Sequence, residues 1–121
     1  MAGHKLTEEH FGIFRAECLR LQAELGLSGW ALHFHFRKLD VLASMQANSK
    51  RHVVAIALAT TWPSHREPTG QNIRDSARHE MLHVLLARLV YWGTLRETDL
   101  EEMQSEEESV VNALVGWMGK L

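Results

Sequence analysis

The residues best able to do chemistry are His79, Glu80 and His83, in the pattern His-Glu-Met-Leu-His or HExxH. In a helix, the two histidines lie one turn apart on one face, so both imidazoles can bind the same metal ion. Glu80 lies beside that face, where its carboxylate can act as general base on a zinc-bound water. Chance alone gives roughly one such match in twenty sequences of this composition, so the surrounding segments must support the motif.

A catalytic zinc site needs a third protein ligand in addition to the two histidines. No histidine follows His83 in the chain. In the extended form of the motif, a glycine and a third histidine would stand where this chain has Leu86 and Leu89. The sequence therefore predicts that a downstream ligand is a carboxylate.

The run of three glutamates at 106–108 contains the predicted third ligand. Glu107 precedes Val110 and Val111 by three and four residues, so on a helix it shares their apolar stripe and faces the core. A metal ion would stabilise a carboxylate that is buried there in its ionised form. We predict Glu107 as the ligand and keep Glu108 as the alternative, because either can rotate inward. The competing interpretation is that the run is a solvated first helical turn.

Hydrophobic periodicity predicts an α+β domain around these residues. The first helix begins at the N-cap Thr7, and the helix with the HExxH motif is capped by Asn72 and stops at Gly93. Between them lies a small, mostly antiparallel sheet of three strands, and a last helix follows the acidic segment. The predicted elements are an α-helix over 7–25, strands over 30–37, 41–48 and 52–60, an α-helix over 72–91, and an α-helix over 105–120.

Length and composition indicate one domain over 1–121, with 1–5 free to form a mobile arm. The net charge of −2 provides no attraction to nucleic acid or an anionic membrane. The chain has neither a signal peptide nor an apolar run of the about 20 residues that cross a bilayer, so we expect a cytoplasmic protein. The single cysteine, Cys18, excludes an internal disulfide and is expected in the core.

Four segments together resemble a minimal zincin of the gluzincin type: GWALHFHF, HVVAIAL, HEMLHVLL and EEESVVNAL. The chain is similar over roughly 6–118 to the small metallopeptidases encoded by phages and prophages. That resemblance implies a zinc cofactor, a peptide or protein substrate, and hydrolysis by Glu80-assisted attack of a zinc-bound water. A glutamate on the next helix completes the ligand set in such sites. The chain has no further segment that would form a lower substrate-binding lobe.

The resemblance further implies an edge strand that pairs with an extended substrate beside the cleft, and 52–60 or its neighbour is the candidate. His52, His65 or a strand N–H group can stabilise the oxyanion, and the sequence does not choose among them. His33 and His35 point the same way from one strand and are predicted to be a solvent-facing pair. The alternative function is a catalytically silent regulatory protein that keeps the zincin fold and a structural zinc, with its acidic 97–108 segment binding a basic partner.

Overall fold

The chain folds into an α+β structure, which confirms the predicted class. The computed structural model describes residues 3–94 and, beyond them, Gln104, Glu107, Glu108, Val111, Asn112 and Val115. The described elements are β1 (His4–Lys5), α1 (Glu8–Glu24), β2 (Ala31–Arg37), β3 (Ala43–Asn48), β4 (Val53–Ala59), β5 (Thr61–Trp62) and α2 (Gly70–Thr94). The predicted last helix and the acidic segment lie mostly outside the described residues. All six described positions beyond 94 are helical.

The three predicted strands form one sheet in the order β2-β4-β3. β4 pairs antiparallel with β3, with Met45 opposite Ile56, and parallel with β2, with Phe34 opposite Ile56. The expectation of a mostly antiparallel sheet is therefore wrong. The short turn 49–52 makes β3 and β4 antiparallel. The short connection 38–42 also reverses the chain, between β2 and β3, so after two reversals β4 runs in the direction of β2 and pairs parallel with it.

One face of this sheet forms the core, and the opposite face carries the predicted histidine pair. Val54, Ile56 and Leu58 of β4 are fully buried within the same cluster as residues of both helices. On the opposite face of β2, His33 and His35 are exposed, as predicted. Cys18 of α1 is fully buried, also as predicted.

The N-terminal segment is held by backbone pairing. His4 and Lys5 form β1, which is antiparallel to β5, and the Leu6 N–H donates to the carbonyl of Thr60 over 2.9 Å. Trp62 of β5 is fully buried, and its indole N–H donates to the carbonyl of Leu42 over 3.1 Å. The mobile arm considered for 1–5 therefore does not extend to His4 and Lys5, because each pairs with a residue of β5.

The sequence predicted the N-cap of α1 correctly but not that of α2. Thr7 caps α1 as predicted, in a reciprocal capping box with His10. The predicted cap of α2 is wrong, since the hydroxyl of Thr69 accepts from the backbone N–H of Asn72 over 3.1 Å. The Asn72 side chain instead donates to the carbonyl of Glu67 over 2.8 Å. Among the described residues, no helix is long and apolar enough to cross a membrane.

An ion cluster fixes α2 against α1 one residue before the HExxH motif. Glu17 of α1 is only 6% exposed and accepts two hydrogen bonds from Arg20 and one from Arg78 of α2, all of 2.8–2.9 Å. The hydrogen bond from Arg20 is the main cause that lowers the pKa of Glu17, and Arg78 lowers it further. Since Arg78 directly precedes His79, this contact also sets the position of the motif along α1.

Glu17→Gln should lower the free energy of unfolding by about 2 kcal/mol, because it leaves the mostly buried guanidinium of Arg78 with only its longer contact to Asp75, 3.3 Å away. The matched control is Glu24→Gln, which removes an exposed partner of Arg20 and should cost less than about 0.5 kcal/mol.

A carboxylate with a lowered pKa stabilises the fold above its ordinary pKa of 4.5, and this stability is lost as the pH falls through the folded value. Wild type should therefore lose more stability below pH 4.5 than Glu17→Gln does. Urea unfolding at several pH values measures both effects. Equal losses of stability in wild type and Glu17→Gln below pH 4.5 would contradict the role assigned to the Glu17 carboxylate.

Candidate metal centre

The two histidines of the motif meet on one face of α2. Their rings are edge to face, with centroids 4.8 Å apart, and the Nε2 atoms of His79 and His83 are separated by 3.2 Å. Both side chains are partly buried. The helical spacing of four residues therefore gives the convergence of nitrogens that the sequence predicted.

Glu107 and Glu108 both reach the histidines, but they contact different ring nitrogens. The carboxylate of Glu108 lies 3.0 Å from Nε2 of His79 and 2.8 Å from Nε2 of His83. Glu107 lies on the other side of His83, with Oε1 3.0 Å from Nδ1. The structure thus brings Glu108, the alternative ligand, to the two nitrogens that face each other. It places Glu107, the preferred ligand, behind one of them.

The donor atoms of His79, His83 and Glu108 could together hold a metal ion, since all lie within 4.8 Å of one another. When Nδ1 of His83 carries a proton, it donates to Glu107, and Nε2 keeps its lone pair. That lone pair then faces a second imidazole nitrogen and a carboxylate, so a cation or a proton must lie between these acceptors. Ligands on a tetrahedral zinc ion are separated by roughly 3.3 Å, close to the observed spacing of the two nitrogens.

Burial favours the uncharged, metal-binding form of His79. The pKa of His79 is lowered mainly by burial, and the nearby His83 lowers it further. The negative charge of Glu108 acts in the opposite direction. An imidazole that is neutral at physiological pH presents a free lone pair to a metal ion.

Glu80 is the most deeply buried carboxylate of the motif region, with 7% of its surface exposed. Burial raises the pKa of this carboxyl to about 7, and the charge of Glu108 contributes in the same direction, while His83 opposes it. Glu80 lines the same cleft as His79, one of the candidate metal ligands. A carboxyl group that titrates near neutral pH can both accept and return a proton.

The cleft in front of the motif has a volume of about 420 Å³. Sequence reasoning missed two of its polar residues, Asn112 and Arg66. Asn112 lies four residues after Glu108, so helical periodicity could have placed both on one face. Arg66 comes from the loop before α2, and only the tertiary fold brings it there. The cleft is lined by Val41, Leu42, Ala43, Arg66, Asp75, Ser76, His79, Glu80, Asn112 and Val115.

Three further sequence expectations concern the surroundings of this cleft. Of the candidate edge strands, 52–60 is excluded because β4 is central, whereas its neighbour β3 is at the edge and contributes Ala43 to the cleft. His65 lines an adjacent cavity rather than the cleft itself. His52 is stacked on Trp30 with ring centroids 4.9 Å apart, and it is not among the residues that line the cleft.

No protein-family model, curated protein or solved structure matches the chain. The residues and their geometry therefore carry the functional argument.

The two glutamates should differ in their effect on zinc binding. Glu108→Ala removes a carboxylate that contacts both Nε2 atoms and should weaken zinc binding by at least about 100-fold. Glu107→Ala removes only the partner of Nδ1 and should cost roughly 10- to 100-fold. Competition with a chromophoric chelator measures both affinities, and the control is Glu9→Ala at an exposed position of α1. A larger loss for Glu107→Ala would restore Glu107 as the third ligand.

Proposed function

We propose that the protein is a zinc-dependent metallopeptidase with a minimal zincin-like fold. In this proposal His79, His83 and Glu108 hold the zinc ion, and Glu80 is the general base. The observation that carries it is the convergence of two imidazole nitrogens and a carboxylate within 4.8 Å of one another. His79 of this group and the buried Glu80 line the same cleft. The order of elements, a helix and a sheet followed by the motif helix and a downstream glutamate, is further support.

Glu107 has the role of positioning His83. Its carboxylate accepts from Nδ1 over 3.0 Å, which fixes the orientation of the ring and leaves Nε2 free to bind a metal. A carboxylate behind a ligating histidine also raises the basicity of that ligand. This role explains why two consecutive glutamates both contact the histidines.

Glu80 moves the proton in the proposed reaction. It takes a proton from the attacking water as the water oxygen bonds to the peptide carbonyl carbon, and it delivers that proton to the leaving nitrogen as the C–N bond breaks. Burial raises the pKa of this carboxyl to about 7 without a metal ion, and the charge of a bound zinc ion would lower it, so the group would be an ionised proton acceptor near neutral pH. When bound, a zinc ion would supply a Lewis acid that polarises the carbonyl and acidifies the water.

The cleft offers groups that can orient a peptide. The side-chain amide of Asn112 lines the cleft together with His79 and Glu80, and it can donate to the oxygen of the attacked carbonyl. Among the strands that the structure describes, β3 pairs only with β4, so its other edge can hydrogen-bond to an extended peptide backbone. Ala43 joins this strand to the cleft. These features favour a peptide or protein substrate.

Glu80→Gln should abolish hydrolysis while zinc remains bound. The amide keeps the size of the side chain but cannot accept the proton of the water, so the rate should fall by at least about 100-fold. The measurement is cleavage of a mixture of quenched fluorescent peptides by the zinc-loaded protein, with zinc content determined in parallel. Glu9→Gln, exposed on α1, is the control. Hydrolysis that survives Glu80→Gln, or that persists after complete removal of zinc, would exclude the proposed mechanism.

A further inference from the structure

A second cavity, of about 520 Å³, lies beside the cleft of the candidate metal centre. Val41, Leu42 and Arg66 line both spaces, so the two are adjoining parts of one groove. The loop before α2 forms another part of its wall through Pro63 and His65. A substrate that passes the metal centre can therefore extend into the second cavity.

Apolar side chains form much of the wall of this second cavity. They are Leu39, Val41, Leu42 and Pro63. Val41 is 56% exposed, which makes it the most exposed of the large hydrophobic side chains in the described part of the chain. Burying that surface under an apolar group of a ligand is favourable. The wall therefore fits an apolar substrate side chain.

Arg66 supplies a positive charge where the cleft and the second cavity meet. The side chain is exposed, and it makes no ion pair with any residue that the structure describes. A backbone hydrogen bond of 3.0 Å from Arg66 to the carbonyl of Pro63 holds this part of the loop.

Carboxylates also occur in both spaces. Asp75 in the cleft is already engaged, by Arg78 over 3.3 Å and by the amide of Gln71 over 2.8 Å. Asp40 lines the second cavity but is not within ion-pair distance of Arg66. The guanidinium at the junction is therefore available to a carboxylate of the ligand.

We propose that the second cavity is a substrate subsite that binds an apolar side chain next to a carboxylate, with Val41 contacting the former and Arg66 binding the latter. The proposal rests on the metallopeptidase function and adds the class of peptide that this site takes. The carboxylate is either an acidic side chain in the next residue or the C-terminus of the peptide. Both sources present the same group to the guanidinium.

Binding to zinc-loaded Glu80→Gln tests the subsite without dependence on turnover. Four fluorescently labelled peptides are titrated: an amidated pair with Leu-Glu or Leu-Gln in the middle, and a pair ending in Leu as free carboxylate or as amide. At least one carboxylate peptide should bind roughly three- to tenfold more tightly than its neutral counterpart. The pair that shows the difference identifies the source of the carboxylate.

Adding Arg66→Glu should remove or reverse that preference. The matched control is Arg51→Glu, which makes the same charge change at an exposed arginine in the turn beyond the other end of β3. If neither pair discriminates, or if both substitutions change binding equally, Arg66 does not bind the substrate carboxylate. Absence of hydrolysis in the wild-type protein would instead refute the peptidase function, because the binding comparison uses a variant that is not expected to hydrolyse peptides.

Val41→Ser tests the apolar half of the subsite, and the exposure of Val41 means that the substitution removes little core packing. Peptides with Leu or Ser before the carboxylate are compared in the same titration. Wild-type Val41 should favour the Leu peptide, and the preference should fall by about fivefold in the variant. An unchanged preference would overturn the assignment of this wall.

Discussion

The convergence of two imidazole nitrogens on one carboxylate is the interaction on which the candidate metal centre depends. His79, Glu80 and His83 bring three ionisable groups to a helix whose neighbouring residues, Met81 and Leu82, are buried. Placing such groups in or near a core is costly unless each has a partner. The Glu108 carboxylate, in contact with both Nε2 atoms, provides the two histidines with such a partner.

The remainder of the described fold holds α2 in the orientation that makes this convergence possible. Thr69 caps the start of α2, and the contact of Glu17 with Arg78 fixes α2 against α1 directly before His79. The core that α1, α2 and the sheet share lies on one side of α2, with Ile73 and Val84 fully buried in it. His79 lines the cleft that β3 and the loop before α2 border. Support from a rigid element suits a metal site, because ligand positions must be set closely.

The features that the sequence predicted correctly depend on residues close together in the chain, and those that it did not predict depend on distant ones. The spacing of His79 and His83 is local, so helical geometry alone predicts that their nitrogens meet. The choice between Glu107 and Glu108 depends on how the last helical segment is rotated against α2. An apolar stripe places Glu107 inward but does not distinguish the Nδ1 side of His83 from the Nε2 side. Both glutamates contact a histidine, and which nitrogen each one contacts is decided by tertiary packing.

Other differences have the same origin. β4 runs in the same direction as β2 after two reversals of the chain, and it pairs with β2 because it lies between β2 and β3. The alternation of residues within each strand does not reveal this strand order. β1 depends on two residues meeting β5 nearly sixty positions later, which no local pattern encodes. No local pattern places Arg66 in the cleft either, because its loop reaches the cleft only in the folded chain. The capping of α1 by Thr7, by contrast, involves neighbours three residues apart and was predictable.

Anomalous diffraction at the zinc absorption edge, from crystals grown with zinc, would locate the metal ion and its ligands. We expect one strong peak bonded to Nε2 of His79, Nε2 of His83 and the carboxylate of Glu108. Glu107 should remain on Nδ1 of His83 and make no bond to the metal. A peak ligated by Glu107 in place of Glu108 would contradict the ligand assignment, and the absence of any peak between the histidines would contradict the metal site itself.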